Sequence, residues 1–120
     1  MKIQASAENY LETICVLGRE GPVRSIDIVN ELAFTKPSVS VAMRNLRESG
    51  HILVDANGYI TLTESGQAIA ERMYERHVIL SDWLISLGVD RDTAVGDACR
   101  VEHAISEESF AAIKRHIAGE

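Results

Sequence analysis

Residues Ser25 to Thr63, "SIDIVNELAFTKPSVSVAMRNLRESGHILVDANGYITLT", change their hydrophobic period along the way, and those changes decide the fold. Ser25 is a good N-cap, and Ile26, Val29 and Leu32 recur on one face of the helix it would open. Phe34-Thr35-Lys36-Pro37 reads as a short turn. A second helix runs from Pro37 or Ser38 to Ser49 with Val39, Met43 and Leu46 inward, and Gly50 closes it. Proline suits a first helical position because its missing N–H would be unsatisfied there anyway. From His51 the period becomes that of a strand, with apolar and β-branched residues on both sides of Asn57-Gly58, a strong hairpin signal. Two helices joined by a tight turn, then a hairpin, is a steeply angled helical pair beside a small ribbon.

Outward from that stretch the pattern is helical. Ala7, Tyr10, Leu11, Ile14 and Leu17 make an amphipathic helix from Ser6 to about Arg19, stopped by Gly18 and Gly21-Pro22. Thr63 caps a long helix over roughly 64–87, with Ile69, Met73, His77, Leu80, Leu84 and Leu87 on one stripe, and Gly88 is its C-cap. A further helix covers about Asp90 to Ala104, and a last one runs from its N-cap Ser106 to about Ile117. The chain is therefore mainly α. Residues 1–63 form a winged helix-turn-helix domain, and residues 64–120 form a second, helical domain.

In a winged helix-turn-helix the third helix enters the major groove of double-stranded DNA and the hairpin lies along the backbone. Its outward residues here are Thr35, Lys36, Pro37, Ser38, Ser40, Val41 and Arg44. Hydroxyls bond phosphates or base edges, Lys36 and Arg44 supply charge, and Val41 can touch a thymine methyl. Few base-specific donors lie on this face, so DNA shape should share in the readout. The formal charge of −6 runs against a polyanion partner, but its distribution does not. Residues 1–63 hold six Lys/Arg against seven Asp/Glu, and residues 64–120 hold six against eleven. The acid sits in the half that need not meet DNA. No apolar run approaches the ~20 residues that cross a bilayer. The N-terminus lacks a secretory h-region, and Cys15 and Cys99 make no disulfide framework, so a reduced cytoplasmic setting and no membrane are expected.

"CRVEH", Cys99 to His103, places a thiol, a carboxylate and an imidazole at i, i+3 and i+4, all on one helix face. Such types abound on exposed helices, and a polar face is the bland reading of them. His77 stands on the apolar stripe between Met73 and Leu80. Glu12, with Asn9 one turn earlier, lies beside the apolar face of the first helix, where a carboxylate is costly unless paired or metal-bound. A set of two carboxylates, two imidazoles and a thiolate is of intermediate hardness and should take Co²⁺, Ni²⁺ and Zn²⁺ at least as tightly as Mn²⁺ or Fe²⁺. Its affinity should fall as pH drops, because the nitrogens and sulfur must lose protons to bind.

Taken in order, "AENYLETI" (7–14), "SIDIVNELAFTKPSVSVAMRNL" (25–46), "GYITLTESG" (58–66), "ERHVIL" (75–80) and "DACRVEHAIS" (97–106) resemble the diphtheria toxin repressor and manganese transport regulator family, over nearly the whole chain. The resemblance implies a repressor that binds operator DNA as a homodimer when Mn²⁺ or Fe²⁺ occupies a site linking its DNA-binding and dimerisation halves. Carried over residue by residue, Glu12, His77, Cys99, Glu102 and His103 match metal-ligand positions. Asn9 stands where relatives have Asp or Met and offers a neutral carbonyl oxygen. Cys99 matches the iron-responsive branch and Glu12 the manganese branch, so the chain is a hybrid. Ser81 stands where relatives often place a carboxylate, and Val95 where the iron branch has His. The chain ends soon after its sixth helix, which implies that the SH3-like domain of longer relatives is absent. The resemblance draws the dimer surface from the last two helices, here Ala94, Ala98, Ile105, Phe110, Ile113 and Ile117, which serve equally well as internal core.

The alternative is a winged-helix regulator that senses oxidation at Cys99 or a small ligand. No H-E-x-x-H and no phosphate loop is present, and five protein ligands leave little open coordination for a substrate, so an enzyme is not expected.

Overall fold

The computed structural model describes residues 5–119, with side chains from Ala7 onward. Among the described residues the elements run α1 (Ala5–Gly18), α2 (Ser25–Leu32), α3 (Lys36–Glu48), β1 (Ile52–Val54), β2 (Ile60–Leu62), α4 (Glu64–Ser86), α5 (Arg91–Ala104) and α6 (Glu107–Ile117). They form two compact units that part inside α4, between Glu71 and Arg72. The first two turns of α4 go with the first unit because Ala70 is buried in its core.

That first core gathers Leu11 and Ile14 from α1, Ile28 from α2, Val39, Met43 and Leu46 from α3, and Ile52 and Ile60 from the strands. Each large side chain removed from water stabilises the unit by about 1.5–3 kcal/mol before entropy is counted. The three inward residues of α3 are those its period predicts. In α2 the prediction is corrected: Ile28 is fully buried, whereas Ile26 is 43% exposed. The cap moves too. Arg24, extended at φ −121° and ψ 165°, is the N-cap, and its N–H donates to Asp27 Oδ2 at 2.8 Å, leaving Ser25 as the first helical residue. The Asp27 carboxylate, at the third helical position, thus satisfies the N–H of the cap residue itself.

Ala33 makes the turn between α2 and α3 in the left-handed region (φ 55°, ψ 36°), unusual for a residue with a Cβ. Thr35 then caps α3, accepting from the Ser38 N–H at 3.3 Å while its hydroxyl donates to Ser38 Oγ at 2.8 Å. α3 thus starts at Lys36, slightly ahead of the Pro37 start that the sequence suggests.

β1 and β2 pair antiparallel with Ile52 opposite Leu62, Leu53 opposite Thr61 and Val54 opposite Ile60. The loop between them is organised by Asp55, whose Oδ1 accepts from the N–H groups of Asn57 and Tyr59, both at 2.9 Å. Gly58 supplies the positive φ of 82°. The Ile60 N–H donates to the Val23 carbonyl at 2.8 Å, tying the wing to the segment before α2. At the other end Thr63 donates to the Gly50 carbonyl at 2.7 Å and receives the Gly66 N–H at 3.3 Å, as an N-cap should. Gly66 is glycine for space: a Cβ there would collide with the His51 carbonyl.

The second unit packs Leu80 of α4, Ala98 of α5 and Phe110 of α6, with Ile79, Trp83, Ile105 and Ile113 around them. Gly88, at φ 99°, ends α4 as expected, and the Val89 N–H returns to the Leu84 carbonyl at 3.0 Å. Asp90 and Ser106 cap α5 and α6. Ala94, Ala98 and Phe110 are buried, whereas Ile117 is exposed. The α4 stripe differs from its sequence reading at both edges. Leu87 lies past the helix and is 63% exposed, while Arg76 is buried at 5%. No helix of the described residues is long and apolar enough to cross a membrane.

Candidate metal centre and DNA-facing helix

Within the second unit, α4 and α5 bring three of the expected ligands together. Glu102 is fully buried on the last turn of α5, with its neighbour His103 and, from α4, His77. His77 Nδ1 lies 3.1 Å from Glu102 Oε2, and His103 Nε2 lies 3.4 Å from Glu102 Oε1. That Oε1 accepts no hydrogen bond among the described residues, so a buried carboxylate oxygen retains a lone pair for some other partner.

The donor set suits a divalent ion. Adjacent ligands on one ion, at bond lengths of about 2.1 Å, stand about 3.0–3.4 Å apart in octahedral or tetrahedral geometry. Each nitrogen–oxygen separation falls in that range, with His77 facing one oxygen of the Glu102 carboxylate and His103 the other. Burial also favours the ion, because a carboxylate that water does not reach gains more from a close cation.

The remaining expected ligands stand elsewhere in the chain. Cys99 is exposed on α5, one turn before Glu102 and His103. Glu12 is buried and Asn9 half-buried on α1, in the first unit, where the Asn9 backbone carbonyl accepts from Thr13 Oγ1 at 2.8 Å. Ser81 is buried, and its hydroxyl has no hydrogen-bond partner among the described residues; Val95 is partly exposed.

On α3 every candidate DNA contact is exposed: Lys36, Pro37, Ser38, Ser40, Val41 and Arg44, with Thr35 at the cap. The Thr35–Ser38 bond commits part of both hydroxyls to holding the helix start. Two exposed cations of the first unit, Arg47 and Arg24, are passed over by the sequence reading. Arg47 is exposed one turn beyond Arg44, a place the helical period could have supplied. The Arg24 guanidinium lies 4.4 Å above the Tyr59 ring of the wing loop, which no local signal reveals. In the second unit the omission is Arg76. Its Nη1 donates to the carbonyls of Glu102 at 3.1 Å and Ile105 at 2.8 Å, and its guanidinium lies 5.3 Å from the centre of the Phe110 ring. Its place between Met73 and Leu80 on the helical period is a weak signal, since arginine is rarely buried.

Fold and site together define a class, the winged helix-turn-helix transcriptional regulators with a helical metal-binding and dimerisation domain. The domain described as iron dependent repressor, metal binding and dimerisation, matches residues 63–118. The transcriptional regulator MntR of Escherichia coli is 33% identical over 108 residues, 89% of this chain and 70% of that protein. An HTH-type transcriptional regulator of Methanocaldococcus jannaschii is 30% identical over 112 residues, 91% of this chain and 90% of its own length. A solved manganese-dependent transcriptional repressor, in complex with manganese, is 29% identical and superposes with a TM-score of 0.84, over 93% of this chain and 52% of that one. The chain therefore spans about half the length of that solved protein. It belongs to the diphtheria toxin repressor/manganese transport regulator family of metal-dependent transcriptional regulators.

Proposed function

We propose that this protein is a repressor that binds operator DNA as a homodimer when Mn²⁺ or Fe²⁺ is held by His77, Glu102 and His103, with Glu12, Asn9 and Cys99 completing the set. The observation that carries the reading is the buried Glu102 carboxylate, faced by two imidazoles and left with an oxygen that accepts no hydrogen bond. The bound ion supplies a divalent positive charge, for which Glu102 and Glu12 are the anionic partners. His77 and His103 bind as neutral imidazoles, so each gives up any proton it carries. Glu12, on α1, is the group through which occupancy is felt in the DNA-binding half. Residues 1–63 serve DNA binding and residues 64–120 metal binding and dimerisation. Fixing Glu12 restrains the two recognition helices of a dimer at one spacing, and coupling of about 1–3 kcal/mol is typical of such linkage. Thr35, Lys36, Pro37, Ser38, Ser40, Val41 and Arg44 meet the operator. The protein acts in the cytoplasm and is not an enzyme, since a ligand set drawn so fully from the chain leaves little room for a substrate.

Fluorescence anisotropy on DNA from upstream of a metal-transporter gene tests this. Tight binding is expected with Mn²⁺, anaerobic Fe²⁺ or Co²⁺, and weak binding in chelator. Equal binding in both would refute it and favour a regulator that senses oxidation at Cys99 or a small ligand.

A further inference from the structure

Arg76 is a buried cation with no carboxylate in ion-pair reach among the described residues, which is unusual enough to need a reason. Its Nη1 is spent on the end of α5. The Glu102 carbonyl is among the last four of that helix, which helix geometry leaves without an intrahelical donor, and Arg76 Nη1 supplies one. The same nitrogen reaches the Ile105 carbonyl just past the helix end, where a positive charge also meets the negative end of the helix dipole. The Phe110 ring holds the guanidinium from the α6 side. Arg76 therefore grips the backbone of the turn that carries Glu102 and His103, and it sits beside His77 in the chain.

We propose that Arg76 is a positioning residue of the metal centre, setting the distance from His77 on α4 to Glu102 and His103 on α5 without touching the ion. The inference rests on the metal-site reading above. Its sign separates it from simple electrostatics. Removing a nearby positive charge by itself strengthens binding of a cation, whereas losing the grip on α5 weakens it.

The test is Co²⁺ titration of the full metal-free chain, followed by visible absorption. Arg76→Met is expected to weaken Co²⁺ binding by about 10- to 100-fold, the usual effect of losing a group that orients ligands, and to change the absorption bands. Arg76→Lys keeps the charge but replaces the long, planar guanidinium that reaches both carbonyls beside the Phe110 ring with a compact, strongly hydrated ammonium, so it is expected to show the same defects. It carries the test alone if the methionine variant does not fold. Ile79→Ala, a core change in the same unit, should lower the melting temperature while leaving Co²⁺ affinity and bands unchanged. Unchanged or tighter binding in the folded Arg76 variants, or full rescue by lysine, would overturn the inference. A wild-type protein that took up no Co²⁺ would overturn the metal-site reading itself.

Discussion

Replacing Glu102 by Gln keeps the shape of a fully buried side chain and removes only its charge. In the metal-free protein little should change. The amide carbonyl can take the place of Oε2, 3.1 Å from His77 Nδ1, and still accept its hydrogen. With an ion present the two proteins should part. An ion that binds only the folded chain stabilises it by RT ln(1 + [L]/Kd), about 2.7 kcal/mol at a free concentration 100 times Kd. In a chain of 120 residues each kcal/mol is worth roughly 4 °C, so the wild type should melt about 10 °C higher than in chelator. Loss of a direct ligand should exceed the 10- to 100-fold cost of disturbing a supporting one, so we take about 100-fold. At the same ion concentration the variant then gains only about 0.4 kcal/mol, or about 2 °C. Far-ultraviolet circular dichroism melts of both proteins, in chelator and in excess Mn²⁺ or Co²⁺, measure the difference. A Glu102→Gln protein that keeps the wild-type shift would refute the placement of the ion at this carboxylate.

Arg44→Ala should weaken operator binding and lower the slope of log K against log salt by about one, if Arg44 neutralises a phosphate; an unchanged slope would remove it from the interface. Gly66→Ala should destabilise the protein by about 1–3 kcal/mol, because the added methyl meets the His51 carbonyl and α4 must shift from the wing. Urea unfolding reads this, and a variant as stable as wild type would contradict the contact. Ala33→Gly should do the opposite. Left-handed backbone costs an L-residue about 1–2 kcal/mol, and the extra freedom of glycine in the unfolded chain returns about 0.4–1 kcal/mol of that. A net gain of roughly 0.5–1 kcal/mol should raise the melting temperature by about 2–4 °C, and a fall would show that the turn is not strained.

What the sequence by itself determined were the features that depend on a few neighbouring residues. Thr63, Asp90 and Ser106 as helix starts, Gly88 as a helix end, and Val39, Met43 and Leu46 as one buried row all follow from local hydrogen bonding and from the helical period. The hairpin was legible in Asn57-Gly58, although Asp55 does as much to shape its loop. The i, i+3, i+4 spacing of Cys99, Glu102 and His103 was equally plain. Tertiary structure decided the rest. Ile26 and Ile28 are alike to any measure of hydrophobicity, and only the neighbours of α2 choose Ile28 for the core. No pattern on α5 alone says that Glu102 loses all contact with water while Cys99 keeps it, since that depends on where α4 lies against α5. Arg76 is the clearest case. Its burial is tolerable only because two carbonyls at the end of another helix wait for its hydrogens, and that match exists only once the chain has folded.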